Sequence, residues 1–230
     1  MKQKLALVTG ILFAVSVTTG FGQVKQERDV PDFHEVALSI SGDLYITQGN
    51  TQKVEIESSE RNLELIETEV NNGVLHIKCE KWTSSIKGPV TIWVTAPQYS
   101  GLYLSGSGKI IAEGSIETDE MELKISGSGT IDLSDLKGAE IEAAISGSGD
   151  IILNGTAEEL GLSISGSGNL LAESLKVGEG SIRISGSGGC KINATDELEI
   201  KISGSGDVTY YGNPVINAST SGSGKIRNGN

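Results

Sequence analysis

Seven copies of Ser-Gly-Ser-Gly are the residues whose type and spacing come closest to a chemical motif. They begin at residues 105, 126, 146, 165, 185, 203 and 221. Glycine-rich loops can cradle phosphates through backbone N–H groups, and the copies at 105 and 221 continue into Lys-Ile. Both copies lack the upstream glycine of a P-loop, and isoleucine stands where a P-loop has Ser or Thr. No copy completes Gly-x-Gly-x-x-Gly, so the sequence argues against a phosphate cradle.

The same motif does not fit a calcium-binding repeat, and other catalytic signatures do not occur. A calcium nonapeptide repeat has a shorter period, and only Asp150 and Asp207 follow a copy directly. His34 and His76 lie in separate predicted strands without cysteines or carboxylates at ligand spacing, and Gly-x-Ser-x-Gly is absent from the sequence. We therefore expect no catalytic residues, no metal site and no cofactor.

Carboxylates are plentiful, but along the chain they stand scattered over predicted turns. Examples are Glu117, Asp119 and Glu120, the pair Glu158 and Glu159, and the pair Asp196 and Glu197. Glycoside hydrolysis needs two carboxyl groups that face one groove, and the sequence does not show whether any of these do. A carbohydrate-active enzyme therefore stays open as an alternative.

The spacing of the copies predicts a solenoid built of short strands. The steps are 21, 20, 19, 20, 18 and 18 residues, which is typical of stacked coils that each bury one apolar face. Strand side chains alternate with period two, and apolar residues stand just before and two residues after each copy. This parity places the apolar residues and the glycines inward and the serines outward. Inward glycines would allow each coil to bend.

Outward positions are where a binding surface would appear. Ile111, Ile152 and Leu171 occupy equivalent outward positions in three repeats and are candidates for an apolar contact patch. The alternative is that they are single exposed aliphatic residues, which are common on protein surfaces. A further hypothesis is that the outward serines, such as Ser105 and Ser126, form a flat binding ladder.

The N-terminal segment of the sequence suggests export. Residues 1–22 have the pattern of a signal peptide: Lys2 and Lys4, an apolar run over 5–17, and small residues before a cleavage site after Gly22. Without them the chain has 16 basic and 30 acidic residues, a net charge of −14. This charge disfavours nucleic acid and anionic membranes as partners. No second apolar run in the sequence approaches membrane length.

Residues 23–32 are predicted to be a flexible lead-in, and residues 33–104 a less regular β cap with the first irregular coils. The regular β-helix is assigned to 105–230. Within the cap, Ser41-Gly42-Asp43-Leu44 is interpreted as a degenerate first copy, and residues 61–70 fit a hairpin better than a helix. For Cys79 and Cys190, two buried thiols are favoured over a disulfide, and Cys190 falls in the inward column.

The signal peptide, the β cap and the repeated Ile-Ser-Gly-Ser-Gly rungs resemble the head GIN domain family of auto-transporter adhesins, found in envelope proteins of Bacteroidetes-type bacteria. The resemblance covers nearly all of residues 33–228. It implies an all-β fold, a right-handed parallel β-helix with coils of about 18–21 residues, and it transfers no catalytic residues. We expect an exported, non-enzymatic, adhesin-like or ligand-binding protein in the periplasm, at the outer membrane or on the cell surface. The expected partner is a surface glycan or an envelope protein, and homo-oligomerisation is left open.

Overall fold

A computed structural model describes residues 22–79 and 86–230 of the protein, so the predicted signal peptide at 1–22 lies, except for Gly22, outside the described residues. The strands form one curled 17-stranded sheet. They are β1 Val24–Glu27, β2 Glu35–Leu38, β3 Asp43–Gln48, β4 Lys53–Ser58, β5 Ile66–Asn71, β6 Val74–Cys79, β7 Thr91–Ala96, β8 Gly101–Gly106, β9 Lys109–Ala112, β10 Ile116–Gly127, β11 Thr130–Gly147, β12 Asp150–Gly166, β13 Asn169–Gly186, β14 Gly189–Gly204, β15 Asp207–Tyr211, β16 Val215–Gly222 and β17 Lys225–Asn228. One helix, α1, spans Glu60–Leu65.

The predicted all-β solenoid, a parallel β-helix, is confirmed, with about six turns. From β10 to β14 each strand pairs in parallel with the next, and the Ser-Gly-Ser-Gly copies stay in register, as Ser126, Ser146 and Ser165 do. The single strand β11 runs from one copy to the next and so makes a whole coil. The predicted division at residue 104 stays a prediction; that residue lies within β8.

The predicted inward column is buried from Ile110 to Val208 and is half-buried at Ile226 in the last coil. Its members after each motif are Ile110, Ile131, Ile151, Leu170, Cys190 and Val208. Stacking like residues on like residues removes apolar surface from water in every coil, and each fully buried aliphatic side chain contributes about 1.5–3 kcal/mol. The core is therefore a continuous apolar column along the solenoid axis.

Each motif forms a corner, and from the second copy on, a Cβ on either of its glycines would meet a carbonyl oxygen of the preceding coil. The strands stop at Gly127 and resume at Thr130, so the bend lies where the parity argument expected it. Gly129 is buried and faces the core, as predicted. The inward prediction is wrong for the first glycine of the pair. Gly127 has φ +145°, and a Cβ on it would lie 2.5 Å from the Gly106 carbonyl oxygen of the preceding coil. Its missing side chain would point along the axis, so only glycine lets the coils stack this closely.

In the N-terminal part the order of coils differs from the order of the chain. The coil of β2 and β3 lies between the coil of β6 and β7 on one side and the coil of β8 and β9 on the other. Leu38 is the register partner of Leu104, and Asp43 that of Lys109. The degenerate first copy therefore exists, but residues 39–42 lie alongside 105–108, so the motif begins two residues earlier than predicted.

Antiparallel strands and α1 close the N-terminal end. β5 pairs with β6, β4 with β7, and β1 with β4, all antiparallel. The hairpin prediction is confirmed for β5 and β6 and wrong for residues 60–65, which are helical. The helix begins at Ser59, whose side chain accepts a hydrogen bond from Asn62 N at 3.3 Å, and Leu63 packs into the core. Local capping outweighed the alternation of Leu63 and Leu65.

Cys79 and Cys190 do not form a disulfide with each other. Cys190 is buried in the core, and burial raises its pKa well above the ordinary value. Cys79 is half-buried at the end of β6, at the opposite end of the solenoid. The preference for thiols is confirmed, although burial is complete only for Cys190.

Candidate functional site

The three candidate residues Ile111, Ile152 and Leu171 lie in one outward column. Ile111 and Ile152 are both register partners of Asp132, on opposite sides, and Ile152 pairs with Leu171. All are half-buried in the sheet face formed by the strands that follow each corner. They therefore share one column along the solenoid axis, with Asp132 between Ile111 and Ile152, and their role in binding stays a prediction.

Two aromatic residues extend this column towards the N-terminal end. Tyr45 pairs with Ile111, and Trp93 pairs with Tyr45; the two rings stack with centroids 6.3 Å apart. We call Trp93, Tyr45, Ile111, Asp132, Ile152 and Leu171 the outward stripe. Sequence reasoning missed its aromatic members because β7 and β3 precede the regular repeats. The signal was nevertheless present, since Tyr45 and Trp93 alternate with buried aliphatic residues in their strands.

The outward stripe is a narrow apolar ridge with polar surroundings. Its six rungs span about 24 Å at roughly 4.8 Å per strand. At one end the Lys25 ammonium group lies 4.0 Å from the Trp93 ring centre and 3.2 Å from the Glu55 carboxylate. In the middle, Asp132 interrupts the apolar residues, and its buried Oδ1 has no hydrogen-bond partner among the described residues. The stripe could contact a flat partner that also supplies a hydrogen-bond donor.

A column of glutamates runs along another part of the surface. The carboxylates that looked scattered in the sequence are register partners in five successive coils. The column is Glu120, Glu140, Glu159, Glu179 and Glu197, all exposed. Each of these residues stands six positions before a Ser-Gly-Ser-Gly copy, a signal that the sequence contained. The column makes this side of the solenoid strongly negative.

The glutamate column influences the neighbouring column, where Glu122 and Glu142 are register partners. Desolvation, together with nearby carboxylates that include Glu140, raises the pKa of Glu142. Hydrogen bonds from Lys124 and then Tyr103 lower the pKa of Glu122. Among residues 22–79 and 86–230, no group of His, Cys, Asp and Glu has the arrangement of a metal site.

Tyr103 joins carboxylates of adjacent coils. Its hydroxyl lies 2.7 Å from Glu122 Oε2 and 2.9 Å from Glu35 Oε2, and the Lys124 ammonium group lies 5.6 Å from its ring centre. Desolvation and the two carboxylates raise the pKa of Tyr103 far above its ordinary value, so the phenol remains a donor. Close by, His34 Nδ1 lies 2.9 Å from Ser100 Oγ. The Glu35 carboxylate approaches that same nitrogen at 3.8 Å, so no serine–histidine–acid relay forms.

The serine columns lie beside a shallow groove. Ser105, Ser126, Ser146 and Ser165 are exposed and in register, as the serine-ladder hypothesis requires, but they stand where each coil turns and not on a flat face. They line a groove of about 380 Å³ together with other residues that include Tyr103. The groove is shallow because the outward side chains at its centre are small.

This chain is similar to known proteins in both sequence and fold. Described as "Putative auto-transporter adhesin, head GIN domain", a family profile matches residues 32–214. A solved structure described as a putative adhesin from Bacteroides fragilis has 25% identity and a TM-score of 0.84, covering 91% of this chain and 98% of that one. A putative lipid binding protein from Parabacteroides distasonis has 23% identity and a TM-score of 0.76, covering 91% and 98%.

A putative adhesin from Parabacteroides merdae has 22% identity and a TM-score of 0.72, covering 91% of this chain and 97% of that one. The comparison with curated proteins gave no match. In the described part of the chain, no helix is long and apolar enough to cross a membrane. The family profile covers most of the chain, and it shows that this chain belongs to the family described as "Putative auto-transporter adhesin, head GIN domain".

Proposed function

We propose that this protein is an exported, non-enzymatic cell-envelope protein that binds a surface glycan or another envelope protein through the outward stripe. The observation that carries the proposal is the alignment of Trp93 and Tyr45 with the aliphatic residues of three regular coils. Membership of an adhesin family supports a binding role at the envelope or surface.

The composition of the outward stripe suits recognition. Aromatic residues dominate binding energy at protein interfaces, because they bury a large area with few rotatable bonds. The stripe offers two of them in a chain with 4% aromatic residues. The half-buried carboxylate of Asp132 adds a hydrogen-bond acceptor to the middle of the stripe, which suits a ligand hydroxyl or amide.

A binding screen with immobilised glycans, purified envelope proteins and neutral lipid vesicles tests the proposal. Vesicles are included because one related structure is described as a lipid binding protein. We expect a ligand whose affinity falls about tenfold or more in Tyr45→Ala and Ile152→Asp. The matched control is Ser163→Asp, which places the same charge on the groove face. Equal losses in the control and the stripe variants, or a blank screen, would contradict the proposal.

A second candidate is a carbohydrate-active enzyme at Glu122 and Glu142. These carboxylates are register partners whose pKa values are displaced in opposite directions, as expected for a base and an acid that act together. The groove beside Tyr103 would hold the substrate. Release of reducing ends from polysaccharides, lost in Glu122→Gln and Glu142→Gln but kept in Ile152→Asp, would favour this candidate over the binding protein.

A further inference from the structure

The last coil of the solenoid, formed by β16 and β17, leaves strand edges without partners. β16 pairs with β14 and β17 pairs with β15, each on one side. Within the described ranges no strand pairs with the outer edge of either. All eight residues of β16 are exposed. Unpaired backbone N–H and C=O groups on an exposed edge form a template for another strand.

The apolar column also comes to the surface at this end. Ile216 and Ala218 occupy the inward positions that Leu198 and Ile200 occupy one coil earlier. Those two residues of β14 are fully buried, whereas Ile216 is 37% exposed and Ala218 is also exposed. The core that runs through the whole solenoid is therefore open to solvent here.

Charge is distributed so that this end can meet its own copy. Residues 208–230 contain no aspartate or glutamate and two basic residues, Lys225 and Arg227, whereas residues 1–207 carry 16 basic and 30 acidic residues. The glutamate column stops at Glu197, whose partner in the last coil is the uncharged Val215. Two copies could approach through this end without repulsion between carboxylates.

The opposite end has protection that β16 lacks, although β17 of the last coil carries Lys225 and Arg227. Its edge strand β5 carries Glu67 and Glu69, and α1 covers the core with Leu63. Charged residues on an edge and a covering element are the usual ways in which proteins prevent edge pairing. The unprotected apolar surface at the end of one copy matches the identical surface on the same end of another copy.

We propose that the last coil is a dimer interface at which a second copy of this chain docks end to end. The two β16 strands pair antiparallel across a twofold axis, and Ile216 and Ala218 of each copy join the two cores into one apolar column. Such an interface is isologous, so assembly stops at two. The outward stripe lies on the side of the solenoid and stays accessible in both copies.

Sedimentation velocity and small-angle scattering of the purified protein over a concentration series test the proposal. We expect a dimer with about twice the maximum dimension of the monomer. Ala218→Lys places an ammonium group in the joined core and should weaken the dimer about tenfold or more. The matched control Ser219→Lys adds the same charge to the outward side of β16 and should change the dissociation constant less than about twofold.

A third variant, Thr68→Lys in β5, distinguishes the two ends and should leave the dimer unchanged. A monomer at all concentrations would overturn the proposal. So would an open-ended series of oligomers abolished by both Thr68→Lys and Ala218→Lys, because that pattern means head-to-tail assembly. Circular dichroism and the unfolding temperature verify folding. If Ala218→Lys unfolds, Ile216→Lys at the other inward position of β16 replaces it, and an unchanged dimer would then contradict the proposal.

Discussion

The two ends of the solenoid differ in how completely the apolar column is covered. At the N-terminal end, α1 and three antiparallel strands cover a fully buried column that includes Leu75 and Ile77. At the C-terminal end the same column reaches solvent at Ile216, and the uncharged strand β16 forms one of the two edges. A coil buries its apolar face only against a neighbouring coil. Local stability should therefore be lower at the C-terminal end than at the N-terminal end, unless a partner covers the C-terminal end.

The largest expected effect comes from truncating the inward column at each end. Ile77→Ala should lower the free energy of unfolding by about 2–5 kcal/mol, because it leaves a cavity in a closed core. Ile216→Ala should cost less than about 0.5 kcal/mol at concentrations where the protein is monomeric. Chemical denaturation of both variants measures the difference. Equal losses in dilute solution would mean that the two ends do not differ.

The corner glycines give the next largest effect. Gly147→Ala should destabilise by about 1–3 kcal/mol, because φ is +132° and a Cβ would collide with the Gly127 carbonyl oxygen. Gly222→Ala creates the same collision with Gly204 in the last coil, where β16 has one neighbour and can yield. Thermal unfolding should therefore show a smaller shift for Gly222→Ala, and a larger one would contradict the view that the last coil yields.

Removal of the helix cap tests how much α1 protects the N-terminal end. Ser59→Ala should cost about 1 kcal/mol, because the N–H group of Asn62 loses its acceptor. Hydrogen exchange should then speed up first in β5 and β6, while β14 is unaffected. Ser134→Ala, at an exposed serine in β11, serves as control. Uniform acceleration across the chain would show that α1 does not act locally.

The smallest effects concern the glutamate column, which belongs to the coils between the two ends. Like charges that face each other across strands are unfavourable by about 0.2–1 kcal/mol per pair, so Glu159→Gln should stabilise the protein slightly. Added salt should reduce this gain. Glu197→Gln should stabilise the protein less, because Glu197 stands at the end of the column and has one glutamate neighbour. Unfolding temperatures at low and high salt measure both, and a loss of stability in Glu159→Gln would contradict the expectation.

Glu142, which lies in the column beside the glutamate column, predicts how stability depends on pH. The pKa of Glu142 is raised in the folded protein, so the folded state binds more protons than the unfolded state as the pH falls through that raised pKa. The contribution of Glu142 to stability should therefore increase as the pH falls from neutral towards its unfolded pKa. Glu142→Gln should remove that increase and stabilise the protein at neutral pH. Unfolding temperatures against pH for both proteins measure it, and parallel curves would refute it.

Much of the regular half follows from the sequence because its information is local. A strand alternates its side chains, so the residues around each Ser-Gly-Ser-Gly copy indicate which face is buried, and the period indicates that coils stack. The inward position of Cys190 and the corner at Gly129 were both predictable in this way. The glutamate column was predictable too, since each member stands at a constant distance from a motif.

Tertiary structure decided what depends on contacts between distant segments. In the N-terminal part the order of the coils departs from the order of the chain, so the coil of β6 and β7 stacks on the coil of β2 and β3. This stacking aligns Trp93 and Tyr45 with Ile111, and only the folded chain shows it. Tertiary structure also decided that residues 60–65 are helical, since a cap at Ser59 and a place for Leu63 in the core outweigh a two-residue alternation. The direction of Gly127 along the axis likewise depends on how closely the preceding coil approaches. The sequence by itself therefore determined the coil, and packing between coils determined the ends and the surface columns.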